Sequence, residues 1–479
     1  MPSDTVMITS QPILRIPLPE TQGFWPRFGL AMQRHRRSIL TLQWGIVVAY
    51  LLLVIVPAFL PPPPEDAHIW NNLRLFAQFA FWGIWWPFVM LATMGLGRVW
   101  CGVFCPEGAL TEWASHYGLG KPVPRWLKWG GWPFVAFVCT TVYGQLVSVY
   151  EYPQAAMLVL GGSTLAALAI GLIYGRGRRV WCRHLCPANG IFALLAKVSP
   201  WHFHVDRSAW IRPAIAVQPV DCAPLVDIRR MTSTSECHAC GRCAGHRDAV
   251  ELRLRRPDAE ILSIRQQRIT TVEALTLTFG VIGIASAAFQ WSASRWFVLI
   301  KTALAEWLVN RDAYLLLQDN APWWLLTHYP ETGDVFTWLD GLCVLGYILG
   351  GGGALGLLTF ATIFLSAKLA NDQQLSWQRL SMALVPLAGI GVFLGLSMLT
   401  LGHLKAERIV FNWVPAVRIA LLMFGSGFSL WLGGRLLLPS FTTSSTFSIP
   451  ATHRLLAFTL YVVPILVIGG IWLQLFFGN

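Results

Sequence analysis

Eight of the ten cysteines fall in patterns suited to holding a metal centre. Cys237, Cys240 and Cys243 recur every third residue, so one tight loop can offer three thiolates to a single iron–sulfur cube. Upstream, Arg98-Val99-Trp100-Cys101-x3-Cys105-Pro106 recurs as Arg179-Val180-Trp181-Cys182-x3-Cys186-Pro187, at an offset of 81 residues. The bacterial ferredoxin run is C-x2-C-x2-C-x3-C-P, and its last piece is the element repeated here. Zinc is the alternative, because it also takes four thiolates. Zinc sites, however, usually supply ligands as two separated pairs rather than as three evenly spaced cysteines. The other two cysteines, Cys139 and Cys343, lie inside apolar runs and read as small core residues.

The triplet lacks the fourth cysteine of a ferredoxin run. The position four after Cys243 is Arg247, whose guanidinium stays protonated and offers no lone pair. Cys222, fifteen residues before Cys237, is the first candidate for the missing ligand. His246 is the second, since imidazole can ligate iron. A swapped arrangement, with a cysteine of one C-x3-C-P pair completing the triplet, is a third. The thiolate count favours Cys222. Cys101, Cys105, Cys182 and Cys186 supply four thiolates, and Cys222, Cys237, Cys240 and Cys243 supply four more, which fits two 4Fe–4S clusters. Arg98, Arg179, Arg183 and Arg242 lie where they could offset the negative charge of such clusters, and equally where basic anchors of a membrane protein belong.

The elements that must position these cysteines are membrane helices. Of the 479 residues, 55% are hydrophobic and 13% charged, where a soluble chain carries about a quarter charged residues. With 24 Trp, 27 Phe and a mean hydropathy of +0.53, a soluble enzyme and a disordered chain are both excluded. Unbroken apolar runs, in place of short alternating strands, argue against a β-barrel. The fold class expected is an all-α polytopic membrane protein. Nine helices are expected near 39–60, 75–96, 129–150, 155–174, 269–289, 336–366, 382–402, 412–434 and 455–477. The first run is too long for a signal-peptide core and reads as a retained helix.

Net charge is +12, and the basic residues follow a topology, so nucleic acid is not the expected partner. Arg34, Arg36 and Arg37 precede the first helix, while Pro61 to Asn72 has no Lys or Arg, which places the N-terminus in the cytoplasm. The stretch 176–268, with 16 Lys+Arg against 8 Asp+Glu, falls on the same side. Asn479 then falls on the opposite side. The expected organisation is a cytoplasmic segment 1–38, a four-helix membrane domain 39–200 holding both C-x3-C-P motifs, a cytoplasmic ferredoxin-like segment 201–268, and a membrane domain 269–479 of about five helices. Trp296–Val309 carries Lys301 and Glu306 and reads as an interfacial amphipathic helix. Gly350–Gly353 could mark a kink, a tight helix contact or a break. Pro61–Pro64 and Thr442–Thr446 read as loops.

At its cysteine motifs the chain resembles the membrane ferredoxin family of NosR and NapH type, over about residues 39–260. That family carries two C-x3-C-P motifs at the cytoplasmic ends of helices, followed by ferredoxin cysteines. The resemblance implies a bacterial inner-membrane protein with two 4Fe–4S clusters. It would pass electrons between the quinone pool or a cytoplasmic donor and a redox partner that is periplasmic or membrane-bound, with quinol dehydrogenase activity as its own catalytic step. Two departures stand out. The ferredoxin part is one incomplete motif, and no large flavin domain precedes the first helix, so covalent FMN is not expected.

Residues 269–479 lie outside the resemblance. His68, His328 and His403 could face the periplasm as haem ligands, but a lone His at a helix end is more often simply interfacial, and haem is not expected. Arg418 and Glu273 read either as functional charges within the membrane or as charges near helix ends that snorkel to the interface. Two other functions compete with electron transfer. One is a biogenesis factor whose clusters reduce a metal ion or thiol during assembly of another metalloenzyme. The other is a transporter with a zinc-stabilised cytoplasmic domain, which would predict inverted repeats with broken helices at mid-membrane. The repeat found here has both copies on one side.

Overall fold

The computed structural model describes residues 23–211, 220, 222–263, 269–372, 374–438 and 451–478. The expected Thr442–Thr446 loop and the placement of Asn479 lie outside them. In chain order, a short helix α1 (Phe24–Arg34) leads into α2 (Arg36–Phe59) and α3 (Leu73–Leu96). Next come α4 (Pro106–His116), α5 (Trp132–Leu146), α6 (Pro153–Tyr174) and α7 (Pro187–Val198). The second half contains α8 (Thr271–Ala293), α9 (Arg295–Val309), α10 (Trp338–Ala370), α11 (Trp377–Ala406), α12 (Val414–Leu437) and α13 (Thr452–Phe477). Helices dominate because an apolar run removed from water must satisfy its backbone internally.

Eight of these helices are long and apolar enough to cross a membrane: α2, α3, α6, α8, α10, α11, α12 and α13. The chain is an all-α polytopic membrane protein. The ninth expected span, 129–150, is the 15-residue α5, about 22 Å long at 1.5 Å per residue. The segments that flank it nevertheless reach the same two faces as α6. At one face the N–H groups of Leu119 and Lys121 donate to the carbonyls of Leu172 and Ile173, at the end of α6. At the other, the Leu146 carbonyl accepts from the Thr327 N–H at 2.8 Å. The turn 147–152, with Ser148 at φ 50°, then leads into α6.

The second half has a dense centre. In α8 and α11 the apolar windows are 72% and 78% buried, which makes these two helices the core around which the others pack. The glycine run resolves as a tight contact within a continuous helix. A π-helical turn at Tyr347–Gly351 runs directly into the rest of α10. A Cβ on Gly352 would lie 3.0 Å from the Gly283 carbonyl carbon, so the two backbones touch only because both residues are glycine. The Trp296–Val309 stretch lies in helix α9, with Trp296, Leu299 and Ile300 exposed and Phe297 buried, and its Lys301 pairs with Asp340. Cys343 is in a core cluster, but Cys139 is exposed on the surface of α5 and is no core residue.

The segment after α7 is small and mostly irregular. Strand β1 (Trp201–Val205) pairs antiparallel with β2 (Val250–Leu254), Phe203 opposite Leu252. Trp201, Phe203 and Val205 alternate inward, as the period of two requires. Helix α1 lies on β2, with Gly29 against Leu252. A buried ion network fixes the segment to the membrane helices. Glu260 accepts from Arg255, Thr234 and Ser233, and Lys197 at the end of α7 sits 3.9 Å from Glu260 and 3.2 Å from Glu273. Glu273 also closes the N-terminal capping box of α8 with Thr270, so its position is set by these two contacts.

Candidate iron–sulfur centres

Both C-x3-C-P motifs fold back between the helices instead of ending at the basic face. Helix α4 climbs along α6 from the inside outward. Glu107 is hydrogen-bonded to Ser163, Thr111 Oγ1 donates to the Ala167 carbonyl at 2.9 Å, and Ser115 packs on Gly175. Since residue 163 lies about 16 Å from the end of α6 at 1.5 Å per residue, Cys105, the residue that caps α4, sits near the middle of that span. Trp100 confirms the inward dip from the other side, meeting Trp85 of α3 edge-on at 5.1 Å. The second copy repeats the path. Val180–His184 turns back against α6, and Cys186 caps α7 just ahead of Pro187, as Cys105 does for α4 ahead of Pro106.

These two dips bring the four cysteines together. Cys105 is within electrostatic reach of Cys182 and Cys101, and Cys186 of Cys182, Cys105 and Cys101. All four line one interior cavity of about 250 Å³, whose other walls are mainly apolar and include Tyr50, Trp82 and Trp85.

The remaining four cysteines form a second group. Cys222, Cys237, Cys240 and Cys243 line one small cavity with Met231 and Val226. Cys222 is within electrostatic reach of both Cys237 and Cys243. Burial pushes the Cys237 thiol up to about 12, and burial with the neighbouring Cys237 and Cys240 pushes Cys243 well above the ordinary thiol range. Cys237 and Cys243 must give up their protons to ligate a metal. The His246 ring instead packs 5.3 Å from Trp210, and Arg247 lies over the same indole at 5.6 Å.

The two groups adjoin. A Cβ on Gly102 would fall against the His238 carbonyl oxygen and 2.9 Å from Cys240 Cα, so the triplet loop rests directly on the first dip. Arg98, 3% exposed, joins them: its guanidinium donates to the Ser235 carbonyl at 2.6 Å, meets His238 Nε2 at 3.1 Å, and approaches Cys101 Sγ at 3.8 Å. Arg179, 1% exposed, donates to the Cys101 carbonyl at 2.6 Å and pairs with Glu112 at 2.8 Å. Arg242 reaches the other oxygen of Glu112 at 2.6 Å, and Arg183 stands 3.6 Å from Glu236. Burial, then Arg98 and Arg179, holds His238 well below the ordinary imidazole range, so it is neutral at pH 7.

Four buried or half-buried polar residues beside these groups were not evident from sequence: Glu112, Asn189, His238 and Gln43. Asn189 accepts from Arg98 at 2.5 Å. The remaining polar residues singled out in the sequence lie apart from both groups. His68 pairs with Glu407 at 2.7 Å, His403 meets Phe79 edge-on, His328 sits in a two-residue strand, and Arg418 stacks over Phe476 at 4.3 Å.

The chemistry of the donors suits iron–sulfur cubes. A single zinc draws its ligands to about 2.0–2.3 Å from one point. Among the described residues, no three His, Cys, Asp or Glu side chains converge as they would on one metal ion. Each set of four thiols lines one cavity, and four thiolates are what a 4Fe–4S cluster takes.

Comparison with known proteins points the same way. A 4Fe-4S binding domain family matches the chain twice, at residues 78–128 and 158–206, once around each C-x3-C-P motif. Neither match includes the Cys237–Cys243 triplet. The "Putative electron transport protein YccM" of Escherichia coli (strain K12) is 22% identical over 233 residues. That match takes in 43% of this chain and 65% of the relative, so the chain spans just under two thirds of it. No solved structure matches. The chain is thus a multi-pass membrane protein with two matches to a 4Fe–4S binding domain, similar over part of its length to a protein named for electron transport.

Proposed function

We propose that this protein is an iron–sulfur electron-transfer component of the bacterial inner membrane, of the NosR and NapH type, with its N-terminus and residues 176–268 in the cytoplasm. It would exchange electrons between the quinone pool or a cytoplasmic donor and a periplasmic or membrane-bound redox protein. The observation that carries the reading is the adjacency of two four-cysteine groups, one half-way along the spans and one in the segment above it. A 4Fe–4S cluster in each group supplies one-electron transfer.

The protein's own residues account for the rest. Cys101, Cys105, Cys182 and Cys186 would hold one cluster, and Cys222, Cys237, Cys240 and Cys243 the other. Trp100, Trp181 and Cys101 pack into the apolar core and keep water from the first group. Arg98 and Arg179 place two fixed positive charges between the groups, where added negative charge is costly to bury. Gly102 lets the two backbones meet, which shortens the gap between the groups. Redox titration of anaerobically purified protein, followed by EPR, tests this. Two separate one-electron signals are expected, one abolished by Cys182→Ser and the other by Cys240→Ser. A single signal lost in both variants, or none, would overturn the reading.

A further inference from the structure

Helix α2 carries one buried amide whose N–H group is unpaired among the described residues. Gln43 is 2% exposed, and its Nε2 has no hydrogen-bond partner among the described residues. An unpaired N–H donor removed from water is costly and rarely retained without a role. A polar side chain within a membrane span raises the same question. The Gln43 side chain lines a narrow gap with Gly102, Cys240, Arg242 and Met32. The gap holds about 10 Å³, at the lower bound of what one water needs. Arg242 offers only donors and is already engaged by Glu112, and the Met32 thioether is a weak acceptor. Gln33 of α1 also lines the gap, so its amide oxygen and a thiolate at Cys240 are the two strong side-chain acceptors there, and of these only Cys240 belongs to the four-cysteine group.

We propose that Gln43 donates a hydrogen bond from Nε2 to the sulfur-bound group at Cys240, and thereby raises the reduction potential of the second site. The inference rests on reading Cys222, Cys237, Cys240 and Cys243 as cluster ligands. Hydrogen bonds to cluster sulfurs are a main lever on potential, because they favour the more negative, reduced form. Gln43 reaches this position from the first membrane helix, so it also ties the segment's redox behaviour to the membrane domain. It is a positioning and tuning residue and carries no electron itself.

The test uses the full-length protein, purified anaerobically as wild type, Gln43→Leu and Gln43→Glu. Iron and sulfide content should be the same in all three. In Gln43→Leu the midpoint of the Cys240-dependent EPR signal should fall by a tenfold change in the reduced-to-oxidised ratio, about 59 mV for a one-electron couple. Gln43→Glu, which adds an acceptor and negative charge, should lower it at least as far. An exchangeable-proton coupling at that signal should disappear in both variants. An unchanged midpoint and an unchanged coupling in either fully loaded variant would overturn the proposal. Wild-type protein with no Cys240-dependent cluster would overturn the cluster reading as well, and iron analysis tells the two failures apart.

Discussion

At the scale of single residues, the ligand set makes the sharpest predictions. Cys222 shares a cavity with the triplet, while the His246 ring faces Trp210. Cys222→Ser should therefore lower iron by about four atoms per chain, the content of one cube, as Cys240→Ser should, and His246→Ala should leave iron unchanged. The reverse pattern would make His246 the ligand. Glu112 is the second prediction. It is the shared counter-charge of Arg179 and Arg242, so Glu112→Gln leaves a 1%-exposed guanidinium without its carboxylate. Breaking a buried pair in this way costs about 3–5 kcal/mol, and thermal unfolding of the variant should begin correspondingly lower. The two C-x3-C-P pairs and the Cys237–Cys240–Cys243 triplet stand out by spacing, while Cys222 was picked out only by the count of thiolates. Glu112 and Gln43 were not legible, because a buried polar residue is recognised by what it faces, and that depends on how the dips fold.

At the scale of elements, the account turns on how the segment after α7 sits on the membrane helices. Gly102 is the point of contact, and Gly102→Ala would force its Cβ into the backbone of the triplet loop. Overpacking of this kind costs about 1–3 kcal/mol. The expected result is intact iron content with weakened magnetic coupling between the two reduced centres in EPR. Full coupling in that variant would show that the loop does not rest on Gly102.

Glu260 gives a pH dependence. Burial pushes its carboxyl up, but Lys197, then Arg255, and hydrogen bonds from Ser233 and Thr234 outweigh this and hold it below the ordinary range. A depressed carboxyl contributes stability above its unfolded value, about 4.3, and loses it as pH falls through the folded value. Protection of the Thr234 and Ser235 amides, relative to their intrinsic exchange, should be lost as pH falls through the depressed folded value of Glu260, and Glu260→Gln should show the lower protection already at neutral pH. The helices were readable from apolar runs to within a few residues. The inward dips were not. Arg98 and Arg179 look like basic residues at a membrane face, and only the contacts of Glu107, Thr111 and Ser115 with α6 show the cysteines lying half a span deeper.

At the scale of the whole molecule, the faces are consistent from end to end. The carbonyl of Leu146 meets Thr327, His68 meets Glu407, and Arg418 meets Phe476, all at the face opposite Ser199 and Arg379. Reporter fusions after residues 125 and 230 should therefore agree with each other and disagree with one placed after residue 320. The central claim, two 4Fe–4S clusters on eight named cysteines, is tested most directly by composition. Anaerobically purified full-length protein should contain about eight iron and about eight acid-labile sulfide per chain, with zinc absent. About one or two zinc per chain, with no sulfide, would contradict it.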